Sequence, residues 1–139
     1  MGLQKFLDAQ DGIYETALQE LRTGKKKSHW MWFIFPQLLG LGRSATAQFY
    51  GISGLSEAKA YLAHPILGFR IRETVAVLLQ QNHYDAYLIF GSPDDLKLKS
   101  CLTLFAIAEE EKNNIFRKAL EVYFQGIPDP RTVEMLNRK

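Results

Sequence analysis

The sequence predicts an all-α domain, a compact bundle of six to eight short helices, and three observations carry that expectation. Apolar residues recur at spacings of three and four through most of the chain, the pattern of helices with one buried face. Helix punctuation falls between those stretches, with Gly24 and Gly126 closing two of them and Pro65 and Pro130 opening two others. The chain also lacks the regular strand–helix alternation that a doubly wound sheet requires.

Leu3, Phe6 and Leu7 share one helical face. Ile13, Ala17, Leu18 and Leu21 predict an amphipathic helix over 12–23, ended by Gly24. His29 to Phe35 is dense in aromatics and lacks polar alternation, so it reads as a buried strand or a buried helical turn. Pro36 disfavours helical backbone at Phe35 and closes the run. Leu38-Leu39-Gly40-Leu41-Gly42 reads as a loop, and Ser44 as the cap of a helix over 45–50. Ser56 caps a helix over 55–63 striped by Ala58, Tyr61 and Leu62, and 66–81 is the longest periodic segment. Residues 84–90 suit a strand or a short helix. Ser92-Pro93-Asp94-Asp95 predicts a helix start, with Ser92 at the N-cap, Pro93 first in the helix and both carboxylates in its positive first turn. Residues 109–112 read as a solvated turn and 113–125 as an amphipathic helix; Asp129 caps a last helix over 130–137.

At 139 residues, 47% hydrophobic and 12% aromatic, the chain supplies one packed domain, 1–139. Its net charge of +2 is too balanced to mark a nucleic-acid binder, and the dense basic cluster is confined to Lys25, Lys26 and Lys27. One cysteine, Cys101, excludes an internal disulfide and a Cys-based zinc site and reads as a small core residue. His64 and His83 lack metal-ligand spacing, so no metal and no cofactor is expected. No apolar run approaches the roughly 20 residues of a membrane span. Met1-Gly2 is followed by Phe6 where a myristoylation signal needs Ser or Thr, and there is no leader pattern. A cytoplasmic protein without a membrane partner is expected. The sequence leaves the oligomeric state open.

The least ordinary segment is Lys25 to Gln37. Lys27 and His29 supply positive charge and proton transfer, Trp30 a flat surface for stacking, and Gln37 a paired donor and acceptor. These are parts of a pocket for an anionic, aromatic small molecule such as a nucleotide. The same residues also read as core plus solvated loop, with Trp30, Trp32, Phe33 and Phe35 inside. Arg43 and Ser44 precede a helix whose exposed N–H groups suit a phosphate. Lys97, Ser100 and Thr103, three apart, share a helix face with Asp94. Glu73, between Arg70 and Arg72, is either a buried acid or base or a surface ion pair. The catalytic candidates are thus His29, Glu73 and Asp94; the ligand-binding candidates are Lys27, Trp30, Gln37, Arg43, Ser44, Lys97 and Ser100.

The run Lys27-Ser28-His29-Trp30-Met31-Trp32-Phe33-Ile34-Phe35-Pro36-Gln37, with Gly40-Leu41-Gly42, His64-Pro65, Phe90-Gly91-Ser92-Pro93-Asp94-Asp95 and Pro128-Asp129-Pro130-Arg131-Thr132, resembles a family of small bacterial proteins. These carry a domain of unknown function and are sometimes mislabelled calpastatin. The resemblance spans nearly the whole chain and implies an all-helical fold, with no activity or catalytic residues attached. Cys101 and Leu102 depart from it, standing where a small residue and Met are expected. A looser similarity, over Ala58 to Gly68, is to the small helical proteins that remove ADP-ribose from nucleobases, whose catalytic motif has no counterpart here. Two functions follow: binding of a nucleotide- or ADP-ribose-like ligand with possible glycosidic hydrolysis, or a non-enzymatic interaction module.

Overall fold

The structure is a computed structural model that describes residues 2–138. Among these residues the chain forms ten helices: α1 (Gln4–Gln10), α2 (Tyr14–Arg22), α3 (Met31–Ile34), α4 (Ala45–Phe49), α5 (Leu55–Ala63), α6 (Leu67–Leu78), α7 (Ala86–Phe90), α8 (Asp94–Ala108), α9 (Ile115–Phe124) and α10 (Pro130–Asn137). The all-α expectation holds, with more and shorter helices than six to eight.

The bundle is organised around α8. Its residues Leu98, Cys101, Leu102, Leu104 and Phe105 are fully buried, and Ser100, Thr103, Ala106 and Ala108 are buried beside them. Buried on most of its circumference, α8 packs against α5, α7, α9 and α10. A second layer, α6, turns Leu67, Ile71, Val75 and Leu78 inward and meets α2, α5 and α9. The α5–α6 junction depends on Gly68, where a Cβ would stand 2.1 Å from the Leu62 carbonyl oxygen. His64 starts α6 by accepting the Ile66 and Leu67 N–H groups at Nδ1 (3.1 and 3.3 Å).

Three local expectations change and one left open is decided. The helix over 12–23 starts at Tyr14, because Asp11 is extended and Gly12 sits at φ +75° between α1 and α2. The aromatic run contains a single helical turn, α3. Gly54, not Ser56, stands at the N-cap of α5, where the Glu57 carboxylate accepts the Ser53 N–H (2.9 Å). Helix α8 begins at Asp94 with Pro93 as its cap residue, so Ser92 lies one position outside. Residues 86–90 are helical, capped by Asp85, and Asp129 caps α10 as read.

An isolated parallel bridge joins Leu38 to Ile52. The Ile52 N–H donates to the Gln37 carbonyl (2.9 Å) and the Leu39 N–H to the Ile52 carbonyl (2.7 Å). This pairing holds the 36–42 loop in place near the start of α8. No helix among the described residues is long and apolar enough to cross a membrane.

Candidate functional site

Glu20, on α2, organises the unusual segment. Its carboxylate accepts the Lys27 N–H (2.7 Å), the Ser28 N–H (3.0 Å), the Ser28 hydroxyl (2.5 Å) and the Trp30 indole N–H (2.9 Å). Burial alone raises a carboxyl pKa. Here the hydrogen bonds from Ser28, Lys27 and Trp30 outweigh it and hold Glu20 down to about 2. Trp30 is fully buried and packs against Phe35 and Phe90 (ring centroids 6.2 and 6.4 Å). Its indole N–H is satisfied by Glu20, and it offers no face to a ligand.

The loop before Trp30 is also pinned by the Lys26 N–H, which donates to the Ile89 carbonyl (2.7 Å). This carries the Lys26 ammonium to the Asp94 carboxylate (2.9 Å) and over the Trp30 ring (5.0 Å to its centroid). Lys97, one turn further along α8, lies 3.6 Å from the other Asp94 oxygen and 5.1 Å over the ring of half-buried Trp32. Asp94 thus sits between two lysines, each lying over a tryptophan.

Beside this cluster a groove of about 270 Å³ runs between the 36–42 loop, the first turns of α8 and the start of α10. Gln37, Lys97, Ser100, Asp129 and Arg131 supply its polar groups, and Leu96 lines it. Asp129 is occupied: its Oδ2 accepts the Ser100 hydroxyl (3.1 Å), the Thr132 N–H (3.1 Å) and the Thr132 hydroxyl (2.5 Å). Its own N–H donates to buried Thr103 (2.8 Å). Arg131 is exposed and pairs with no carboxylate among the described residues. With Asp94 taken by Lys26 and Asp129 by its cap, the Lys97 and Arg131 charges are the ones left to face an incoming group.

A model of the family named "Protein of unknown function (DUF1810)" matches residues 1–136. The chain belongs to the DUF1810 family. The DUF1810 chain is also similar to a solved structure, the crystal structure of the conserved hypothetical protein Rv1873 from Mycobacterium tuberculosis. The two are 47% identical with a TM-score of 0.95, over 99% of this chain and 97% of that one. No curated protein matches it.

Of the candidates read from the sequence, the DUF1810 fold brings Gln37, Lys97 and Ser100 together on the groove, with Asp94 paired to Lys97 beside it. The others lie elsewhere. Lys27 is exposed on a separate open depression along α2, which it lines with Glu15, Thr16, Gln19 and Thr23. His29 is exposed and does not line the groove. Ser44 spends its hydroxyl on the Ala47 N–H as the cap of α4, and Arg43 is exposed beside it. Glu73 accepts the Tyr14 hydroxyl across the α2–α6 seam. Neither flanking arginine pairs with it: Arg70 lies over the Tyr14 ring and donates to Gln10, and Arg72 pairs with Glu109. Burial, reinforced by Glu73, pushes the Tyr14 pKa well up, so its hydroxyl stays a donor. Burial likewise pushes up the Cys101 thiol and keeps it unreactive. No group of three or more His, Cys, Asp or Glu among the described residues could hold a metal ion.

Glu20, Trp32 and Arg131 gain roles that the sequence reading did not give them, and Asp129, read as the cap of α10, also accepts the Ser100 hydroxyl. For Arg131 the available signal was its place in the first turn of a helix capped by Asp129, next in sequence to the groove wall.

Proposed function

We propose that the protein binds a small anionic ligand of the nucleotide or ADP-ribose type in the groove between the 36–42 loop, α8 and α10. The observation that carries this reading is the convergence of Lys97 and Arg131 on one concave surface whose carboxylates are already neutralised or capped. A phosphate there takes charge-assisted hydrogen bonds from both cations. Gln37, half-buried on the opposite wall, supplies a donor and an acceptor to a polar edge.

Thermal denaturation with AMP, ADP-ribose, NAD or inorganic phosphate tests this. A ligand at 100 times its dissociation constant stabilises the fold by about 2.7 kcal/mol. The double variant K97M/R131M should lose that shift. Absence of any shift with all four compounds refutes the reading. The second reading, a non-enzymatic interaction module, draws support from the burial of Trp30 and Phe35 and from the exposure of Tyr87, Leu88 and Leu96.

A further inference from the structure

The groove presents two unlike sets of polar groups. Lys97 and Arg131 supply positive charge, but Asp129 brings a carboxylate to the same surface. Its Oδ2 is taken by Ser100 and Thr132, while its Oδ1 accepts no hydrogen bond from the described residues. A free carboxylate oxygen repels a phosphate and accepts from an O–H group. Gln37 is likewise fixed and unspent. Its backbone carbonyl accepts the Ile52 N–H (2.9 Å), and its side-chain amide makes no hydrogen bond among the described residues. Gly42 lies against that amide on the groove wall, where a Cβ would stand 3.3 Å from Gln37 Nε2.

Two further features limit what fits. The groove's volume of about 270 Å³ falls below the roughly 300–1,000 Å³ of pockets that enclose a drug-sized ligand. None of the residues lining it carries an aromatic ring; its apolar groups are the aliphatic Leu41, Pro93 and Leu96. Trp32 lies outside it, under the Lys97 ammonium. A nucleobase therefore finds no stacking surface there. The C–H groups of a sugar, by contrast, pack well against aliphatic side chains.

Building on the anion-binding reading above, we infer that the unit recognised in the groove is a sugar phosphate. Lys97 and Arg131 hold its phosphate, and the Gln37 amide and Asp129 Oδ1 read its hydroxyls. Each sugar hydroxyl is both donor and acceptor, so one donates to the carboxylate and another pairs with the amide. Of a nucleotide or of ADP-ribose, the groove takes a ribose phosphate portion and leaves the base in solvent. Gln37 and Asp129 are then the residues that separate a sugar phosphate from other phosphate esters.

Calorimetric titration with n-butyl phosphate, ribose 5-phosphate and AMP tests this. All three carry a terminal phosphate monoester of similar charge, so differences between them read the hydroxyls and the base. Ribose 5-phosphate should bind at least about fivefold tighter than butyl phosphate, and AMP within about threefold of ribose 5-phosphate. Gln37→Met keeps the length of the side chain and removes its amide; the preference for ribose 5-phosphate over butyl phosphate should fall, with butyl phosphate itself binding as before. A smaller preference in the wild-type protein, or an AMP affinity outside that margin, overturns the inference and leaves the anion-binding reading standing. An unchanged preference in Gln37→Met overturns the role given to Gln37. Failure of all three compounds to bind overturns both readings. The wild-type comparison decides even where Gln37→Met does not fold.

Discussion

Replacing Glu20 with Gln separates charge from shape at the hub of the Lys25–Gln37 segment. The folded carboxyl is held at about 2 against an ordinary 4.5. At 1.36 kcal/mol per pH unit that depression corresponds to about 3 kcal/mol. Glu20 also lines an open depression, so solvent reaches one side of it and the expected contribution is nearer 2 kcal/mol. Counting bonds leads to a similar figure. The Lys27 and Ser28 N–H groups belong to residues that water can reach, but the indole N–H belongs to a fully buried ring. Leaving that donor with a weaker acceptor costs about 1–3 kcal/mol.

The sign follows from the depressed pKa. The unfolded state takes up a proton as pH falls below about 4.5, while the folded state resists until about 2. The stabilisation is therefore complete above 4.5 and lost progressively between 4.5 and 2. Urea denaturation of wild type and E20Q, followed by tryptophan fluorescence, should show a deficit of about 2 kcal/mol at pH 7 that shrinks steadily below pH 4.5. A deficit of the same size at pH 7 and pH 3 would refute the argument, because it would assign the effect to packing and not to charge.

Three further substitutions probe other parts of the fold. Gly68→Ala places a methyl group 2.1 Å from the Leu62 carbonyl oxygen, a backbone atom that cannot move aside; urea unfolding should show a loss of about 3 kcal/mol or more. Asp129→Ala removes the cap of α10 and strands the hydroxyl of buried Thr132, which should cost about 1–2 kcal/mol by the same measurement. His29→Ala, at an exposed position away from the groove, should stay within about 0.5 kcal/mol of wild type and leave any ligand-induced thermal shift intact.

The helices were legible because their apolar spacing is local. Ile71, Val75 and Leu78 mark the buried face of α6 by periodicity alone, and Asp129-Pro130 marks the start of α10 by its chemistry. Glu20 was not legible, since its partners are two loop amides, a hydroxyl and an indole that only the folded loop brings round to it. The helical face of Tyr14, Ala17, Leu18 and Leu21 does place Glu20 at the edge of the buried stripe, which is as far as spacing reaches. The groove is a similar case. Gln37, Lys97 and Ser100 each stood out for their chemistry, but their meeting depends on the Leu38–Ile52 bridge, and a single bridge has no periodic signature. Trp30 misled for a related reason. A tryptophan within a basic and aromatic run looks like a stacking surface, and the buried acceptor for its N–H lies ten residues earlier, on another helix.

Lys26 connects the architectural part of the segment to the groove. Its ammonium touches Asp94 and the Trp30 ring, and it does not line the groove. Removing it leaves Asp94 with Lys97 as its partner, so the pair at 3.6 Å should tighten. A tighter pair of partly solvated charges gains about 1 kcal/mol. A ligand must overcome that gain to draw Lys97 into the groove, and its affinity should fall about fivefold. The loss should be reversed by adding Asp94→Asn to Lys26→Ala, because a neutral side chain no longer holds Lys97. Calorimetric titration of AMP into the single and double variants reads both effects. An unchanged affinity in Lys26→Ala, or a double variant that binds more weakly than the single, would show that Asp94 does not restrain Lys97 and that the two lysines act separately.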